Sequence, residues 1–251
     1  MNIAATTIQL PPALRALVKI GGAVPGVPGA SFTRLSEGIS YTGRYVGYWG
    51  AWGTQTRTIN LQCPTDGNQD LIKYCNGQYP SGFNVAVPVN QGIFVRDTWT
   101  SKNQLIVRTN AEGQYLDFLY WVFSGRPPGA GGGDDGDDLE PARWRSSAFT
   151  AVSVRSSDGG VATAFKATKT DQTVGIYARS KPTGNLLTVL EEGASATDVD
   201  PEAPAGSDVI TLGIERDGFR SCRLALTAGM LEPITSTGWA GIYVTDDVCK
   251  F

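Results

Sequence analysis

Apolar residues fall along this chain in short runs that recur three times in the same order. Each copy opens with an apolar run that ends in most cases on a small or polar residue: Leu17-Val18-Lys19-Ile20-Gly21, Leu105-Ile106-Val107-Arg108-Thr109 and Leu186-Leu187-Thr188-Val189-Leu190. A turn ending in glycine follows, at Thr42-Gly43, Asp158-Gly159 and Asp217-Gly218. Each copy closes on glycine, isoleucine and an aromatic ring: Gly92-Ile93-Phe94-Val95, Gly175-Ile176-Tyr177-Ala178 and Gly241-Ile242-Tyr243-Val244. Asp-Gly between apolar runs signals a hairpin, because glycine supplies the positive φ that the turn requires. Val161 to Phe165 and Ser221 to Leu226 read as the strands leaving such turns, the second alternating with period two. Only the stretch from Pro12 to Ile20 has a helical look, and it is short.

Stripped of insertions, one copy needs roughly 40 residues, the length of a four-stranded propeller blade. The pattern therefore predicts one all-β repeat domain over residues 1–251, with repeats at 16–97, 104–180 and 185–247 and loop insertions at about 53–83 and 124–141. Known propellers have about four to eight blades, so three do not close a ring. Two architectures answer this. Two chains contribute three blades each to a six-bladed ring, a homodimer that also covers exposed sheet edges. Alternatively the three copies form a β-trefoil or another pseudo-threefold β barrel.

The order of an apolar Leu-x-x-Val-x-x-Gly opening, a glycine turn and a closing Gly-Ile-Tyr resembles the tandem repeats of secreted bacterial proteins named for an Asn-x-x-Gly-x-x-Ala-Phe core. The resemblance spans all three copies and implies propeller-like blades and export. Ser40, Ser156 and Glu215 stand where that family has Asn, and only the Gly persists. It implies no chemistry.

Composition narrows the function classes. The chain has no histidine, which excludes Ser-His-Asp and Cys-His catalysis, histidine zinc sites and an imidazole pH switch. Its net charge of −3 is largely local: Asp134, Asp135, Asp137, Asp138 and Glu140 lie in one glycine-rich loop, and the remainder is near neutral. No basic run exists to track a phosphate backbone, so nucleic acid is not an expected partner. No stretch reaches the ~20 apolar residues of a membrane span. Residues 3–20 hold Pro11, Pro12, Arg15 and Lys19 and lack the apolar core of a secretory signal, so an exported protein would carry its signal outside this sequence. The four cysteines form two local pairs, Cys63 with Cys75 and Cys222 with Cys249, which read as disulfides of an extracellular protein.

Three groups of residues are candidates for function. The acidic loop, Asp134, Asp135, Asp137, Asp138 and Glu140, could wrap a calcium ion with carboxylate oxygens, although its spacing is not that of an EF-hand and a solvated loop is the plainer reading. The aromatics Tyr48, Trp49, Trp52, Trp121, Trp144 and Trp239 either fill space between sheets or display a platform on which the apolar face of a sugar stacks. Strand alternation puts Tyr48 and Trp52 on one face and Trp49 on the other. Glu37, Asp97 and Glu215 are the carboxylates beside repeat elements that a hydrolase would need, and a lyase could use Lys or Tyr. The expectation is an exported, non-catalytic module that binds glycan or another extracellular surface through loop aromatics. A carbohydrate-active hydrolase or lyase, or a structural or protein-binding scaffold, are the alternatives.

Overall fold

A computed structural model describes residues 14–128 and 140–250. The chain is 54% strand and 8% helix, so the all-β expectation holds. The first sheet is an antiparallel meander of β1 (Phe32–Tyr41), β2 (Tyr45–Leu61), β3 (Phe83–Asp97) and β4 (Asn103–Arg108). The long β2–β3 arm ends in α1 (Gln69–Gln78), whose N-cap Asn68 accepts hydrogen bonds from the Asp70 and Leu71 amides. The Cys63–Cys75 disulfide staples this arm.

After β4, a short β5 (Tyr115–Asp117) pairs with the second sheet, and β6 (Leu119–Ser124) and β7 (Arg143–Ala148) form a separate hairpin. The second sheet is again a meander: β8 (Thr150–Val154), β9 (Val161–Lys169), β10 (Val174–Arg179) and β11 (Leu186–Glu191). A connector containing the four-residue α2 (Ala196–Val199) leads to the third sheet, β12 (Asp208–Arg220), β13 (Arg223–Leu231) and β14 (Gly238–Val244). The Cys222–Cys249 disulfide ties the β12–β13 turn to a closing 3-10 turn at Val248–Lys250.

These sheets stack face to face in chain order. Phe165, Ala167 and Tyr177 of the second sheet meet Trp49, Ile93 and Val95 of the first, while Ala162, Ala164 and Ile176 meet Leu212, Leu224 and Leu226 of the third. Odd and even residues of one strand point to opposite faces, so the second sheet is the middle layer. The first strands converge: β8 lies against both β1 and β12. Ser40 joins all three sheets there, donating from Oγ to the Arg216 carbonyl at 2.8 Å and accepting from the Val152 amide at 3.2 Å. The stack is open. No closed propeller and no threefold barrel is present among the described residues.

Several expectations shift in place. The closing motifs are the third strands β3, β10 and β14 of their meanders. The opening runs at 105–109 and 186–190, however, are the fourth strands β4 and β11 of the preceding sheets. Asp217-Gly218 is an irregularity inside β12, and the turn lies at Ser221-Cys222, both with positive φ. Residues 14–20 form no helix and no strand; they begin a strap over the outer face of the first sheet. The longer of the two described α-helices, α1, is marked in sequence by Asn68 followed by Leu71, Ile72 and Cys75 at helical spacing.

Candidate functional site

Three turns meet at one end of the first two sheets: Thr42-Gly43-Arg44, the Thr98–Lys102 turn, and Arg155–Gly160 between β8 and β9. Arg44 holds them together. Its Nε and Nη2 donate to the two Asp97 carboxylate oxygens at 3.1 and 2.7 Å, and its Nη1 reaches the Gly159 carbonyl at 3.4 Å. The Tyr45 hydroxyl donates to the same carbonyl at 2.9 Å. Asp97 also accepts from the Trp99 and Thr100 amides, which shapes the turn that carries Trp99. The Arg44 charge and these N–H donors hold the Asp97 carboxyl well below the usual carboxylate range.

The Arg44 guanidinium sits 4.7 Å from the centroids of both the Tyr45 and Trp99 rings. Trp99 is 75% exposed. The cation sits over an indole that is largely open to solvent. Exposed Tyr41 adds a second ring at this end; its hydroxyl donates to Gly43 O at 2.6 Å. Arg155 and Asp158 pair on the adjoining turn. The arrangement places exposed aromatic rings beside charged and hydroxyl groups, the chemistry that covers the C–H face of a pyranose and bonds its hydroxyls.

Trp99 was outside the set of aromatics expected to bind. Of that set, Tyr48 and Trp52 do share one face and Trp49 takes the other, but all three are buried. Tyr48 stacks on Phe94, and the Trp49 indole donates to Gln91 Oε1 at 3.0 Å. Trp121 and Trp144 lie half-buried on the β6–β7 hairpin, Trp144 edge-on to Phe123. Trp239 is half-buried and donates to Asp200, which also accepts from Tyr243. The six are thus spread over three places rather than gathered into one surface. The local signal for Trp99 was its setting, Asp97-Thr98-Trp99-Thr100-Ser101: polar turn residues around a lone ring.

Among the carboxylates, Asp97 is fixed as an anion by Arg44, which disfavours the role of proton donor. Glu215 is exposed, and the Glu37 side chain lies outside the described set. Asp134, Asp135, Asp137 and Asp138 lie outside the described residues; Glu140 pairs with Arg145. Among the described residues the one cluster with metal-ligand types is Cys222, Asp247 and Cys249, and its sulfurs are already joined. Lys166 is the one desolvated amine with a lowered pKa; it donates to Leu212 O and lies 4.4 Å from the Tyr120 ring centroid.

Comparison with family models, with curated proteins and with solved structures finds no match. The functional reading therefore rests on this chain's own geometry.

Proposed function

We propose that this protein is an exported, non-catalytic module that binds glycan through the Trp99 platform at the turn end of the first two sheets. One observation carries the reading: an indole three-quarters exposed is held in place by a guanidinium whose own charge is locked by Asp97. Ring burial explains every other tryptophan at least in part; it does not explain this one. The two disulfides support an oxidising compartment, and no described helix is long and apolar enough to cross a membrane.

A glycan array probed with labelled protein, with calcium and again with chelator, tests the proposal. Saturable binding to related sugars, lost in Trp99→Ala, is the expected result. Binding that survives Trp99→Ala refutes the platform, and a blank array under both conditions refutes the glycan reading. Loss of binding in chelator alone would assign the acidic loop a role.

A further inference from the structure

The third meander is one strand short of the other two, and the first sheet is preceded by a segment that pairs with no strand among the described residues. The first and second sheets end in fourth strands with one shared register. Gly92 pairs with Arg108 and Ile93 with Val107, then the register slips; Gly175 pairs with Glu191 and Ile176 with Leu190, then it slips again. The next amide donates back to the third strand in both, Thr109 to Gln91 O at 3.0 Å and Glu192 to Val174 O at 2.9 Å. In the third sheet β14 carries the same Gly241-Ile242-Tyr243 motif but ends the sheet.

The connectors identify the missing strand. Leaving β11, the Gly193 amide donates to Val209 O, the Val209 amide to Ala194 O, and the Ala196 amide to Ser207 O. Leaving residues 14–20, the Gly21 amide donates to Phe32 O, the Phe32 amide to Gly22 O, and the Val24 amide to Ala30 O. The two patterns coincide residue for residue, with Gly21 standing for Gly193 and Phe32 for Val209. Leu14 to Lys19 therefore occupy the place of β11, Leu186 to Glu191. They pair with no strand among the described residues, and Leu14 is 98% exposed.

Burial agrees. Ile93 and Ile176 are fully buried by the next sheet in the stack, whereas their counterpart Ile242 is 80% exposed and Val244 is 64% exposed. At the other end, Leu35, counterpart of the buried Leu212, lines an open apolar cleft of about 200 Å³ with Leu17, Val18, Ile39, Val46 and Tyr48. Residues 14–19 lie on the first sheet and β14 in the third, on opposite sides of the middle layer, so one chain does not join them.

We infer that two copies of this chain close a six-bladed ring in which Leu14 to Lys19 of each copy pair with β14 of the other as its fourth strand. The Ile242 face of one copy then fills the cleft beside Leu35 of the next. A head-to-tail contact of this kind makes a ring when its rotation closes, and six blades lie within the known range. β14 contains no charged side chain to guard its edge. The equivalent register sets Gly241 opposite Lys19 and Ile242 opposite Val18.

Light scattering on a sizing column tests the assembly. The expected mass is twice the chain's 26.7 kDa, falling to one chain in Ile242→Glu with the circular dichroism unchanged, since that side chain is exposed within one copy. A wild-type monomer across the micromolar range, or an Ile242→Glu variant that stays dimeric, overturns the ring. The double variant Val18→Cys, Ile242→Cys tests the strand exchange: a covalent dimer on a non-reducing gel, absent from either single variant, is expected. Dimers that Ile242→Glu dissociates but the cysteine pair does not link would refute the donated strand.

Discussion

Replacing Trp99 with Ala should weaken ligand binding strongly at a small cost in stability, and replacing Trp49 with Ala should destabilise the core far more. A tryptophan side chain spans up to about 250 Å², so a residue 75% exposed buries roughly 60 Å², about 1.5 kcal/mol at most. Trp49 is fully buried and bonded to Gln91, so its truncation leaves a cavity and an orphaned amide, costing about 3–5 kcal/mol. For binding, the open indole face offers roughly 100 Å² to a sugar, about 2.5 kcal/mol, or about sixtyfold in Kd. Urea titration followed by circular dichroism gives the stabilities, and titration calorimetry with the best array ligand gives the affinities. The reasoning fails if Trp99→Ala binds within twofold of wild type, or if it loses as much stability as Trp49→Ala.

Three further outcomes follow from the same geometry. Asp97 has its folded pKa depressed below an ordinary value near 3.8, chiefly by Arg44, so its contribution is present above that pH and lost as pH falls below it. Urea midpoints between pH 5 and pH 2 should fall less steeply in Asp97→Asn than in wild type; parallel curves would refute the linkage. Ser40→Ala should cost about 1–3 kcal/mol in the same assay, because it strips the Val152 amide of a partner where three sheets meet. Reduction should destabilise through both disulfides, somewhat more through Cys222–Cys249, whose separation of 27 residues gives about 3.5 kcal/mol by loop closure, against about 3 for the 12 residues of Cys63–Cys75. Single Cys→Ser pairs distinguish the two bonds, and equal Tm losses would refute the ranking.

The closing motif of the repeat grammar falls on corresponding strands because it has a mechanical cause. In Gly175-x-Tyr177 and Gly241-x-Tyr243 the ring lies across the glycine two residues before it, where any Cβ would collide with the phenol. Gly92 and Phe94 repeat the arrangement more loosely. Glycine with an aromatic at i+2 thus recurs on the third strand of each sheet, and the same contact also forms at Gly113 and Tyr115, where β5 begins. The opening runs were harder to place. A fourth strand and the start of a following blade are both apolar runs, and only hydrogen-bond register shows that 105–109 and 186–190 end sheets. The Asp217-Gly218 turn was misplaced for a related reason: Ser221 and Cys222 take left-handed φ without being glycine or asparagine, in a turn tethered by the Cys222–Cys249 disulfide and by Ser153, which accepts from the Cys222 amide.

The site was less legible than the fold, and for a physical reason. Crowding of aromatics in sequence, as in Tyr48-Trp49-x-x-Trp52, arises where a strand is covered on both faces, here by the second sheet on one side and the strap on the other, so density of rings signals burial. A displayed ring is the opposite case: it stands alone in a turn, and what fixes it comes from elsewhere in the chain. Arg44 is 53 residues from Asp97 in sequence, and Gly159 is 115 from Arg44. No spacing rule links those positions. They meet because β1–β2, β3–β4 and β8–β9 all turn at one end of stacked meanders, which makes the platform a consequence of the repeat architecture rather than of any local motif.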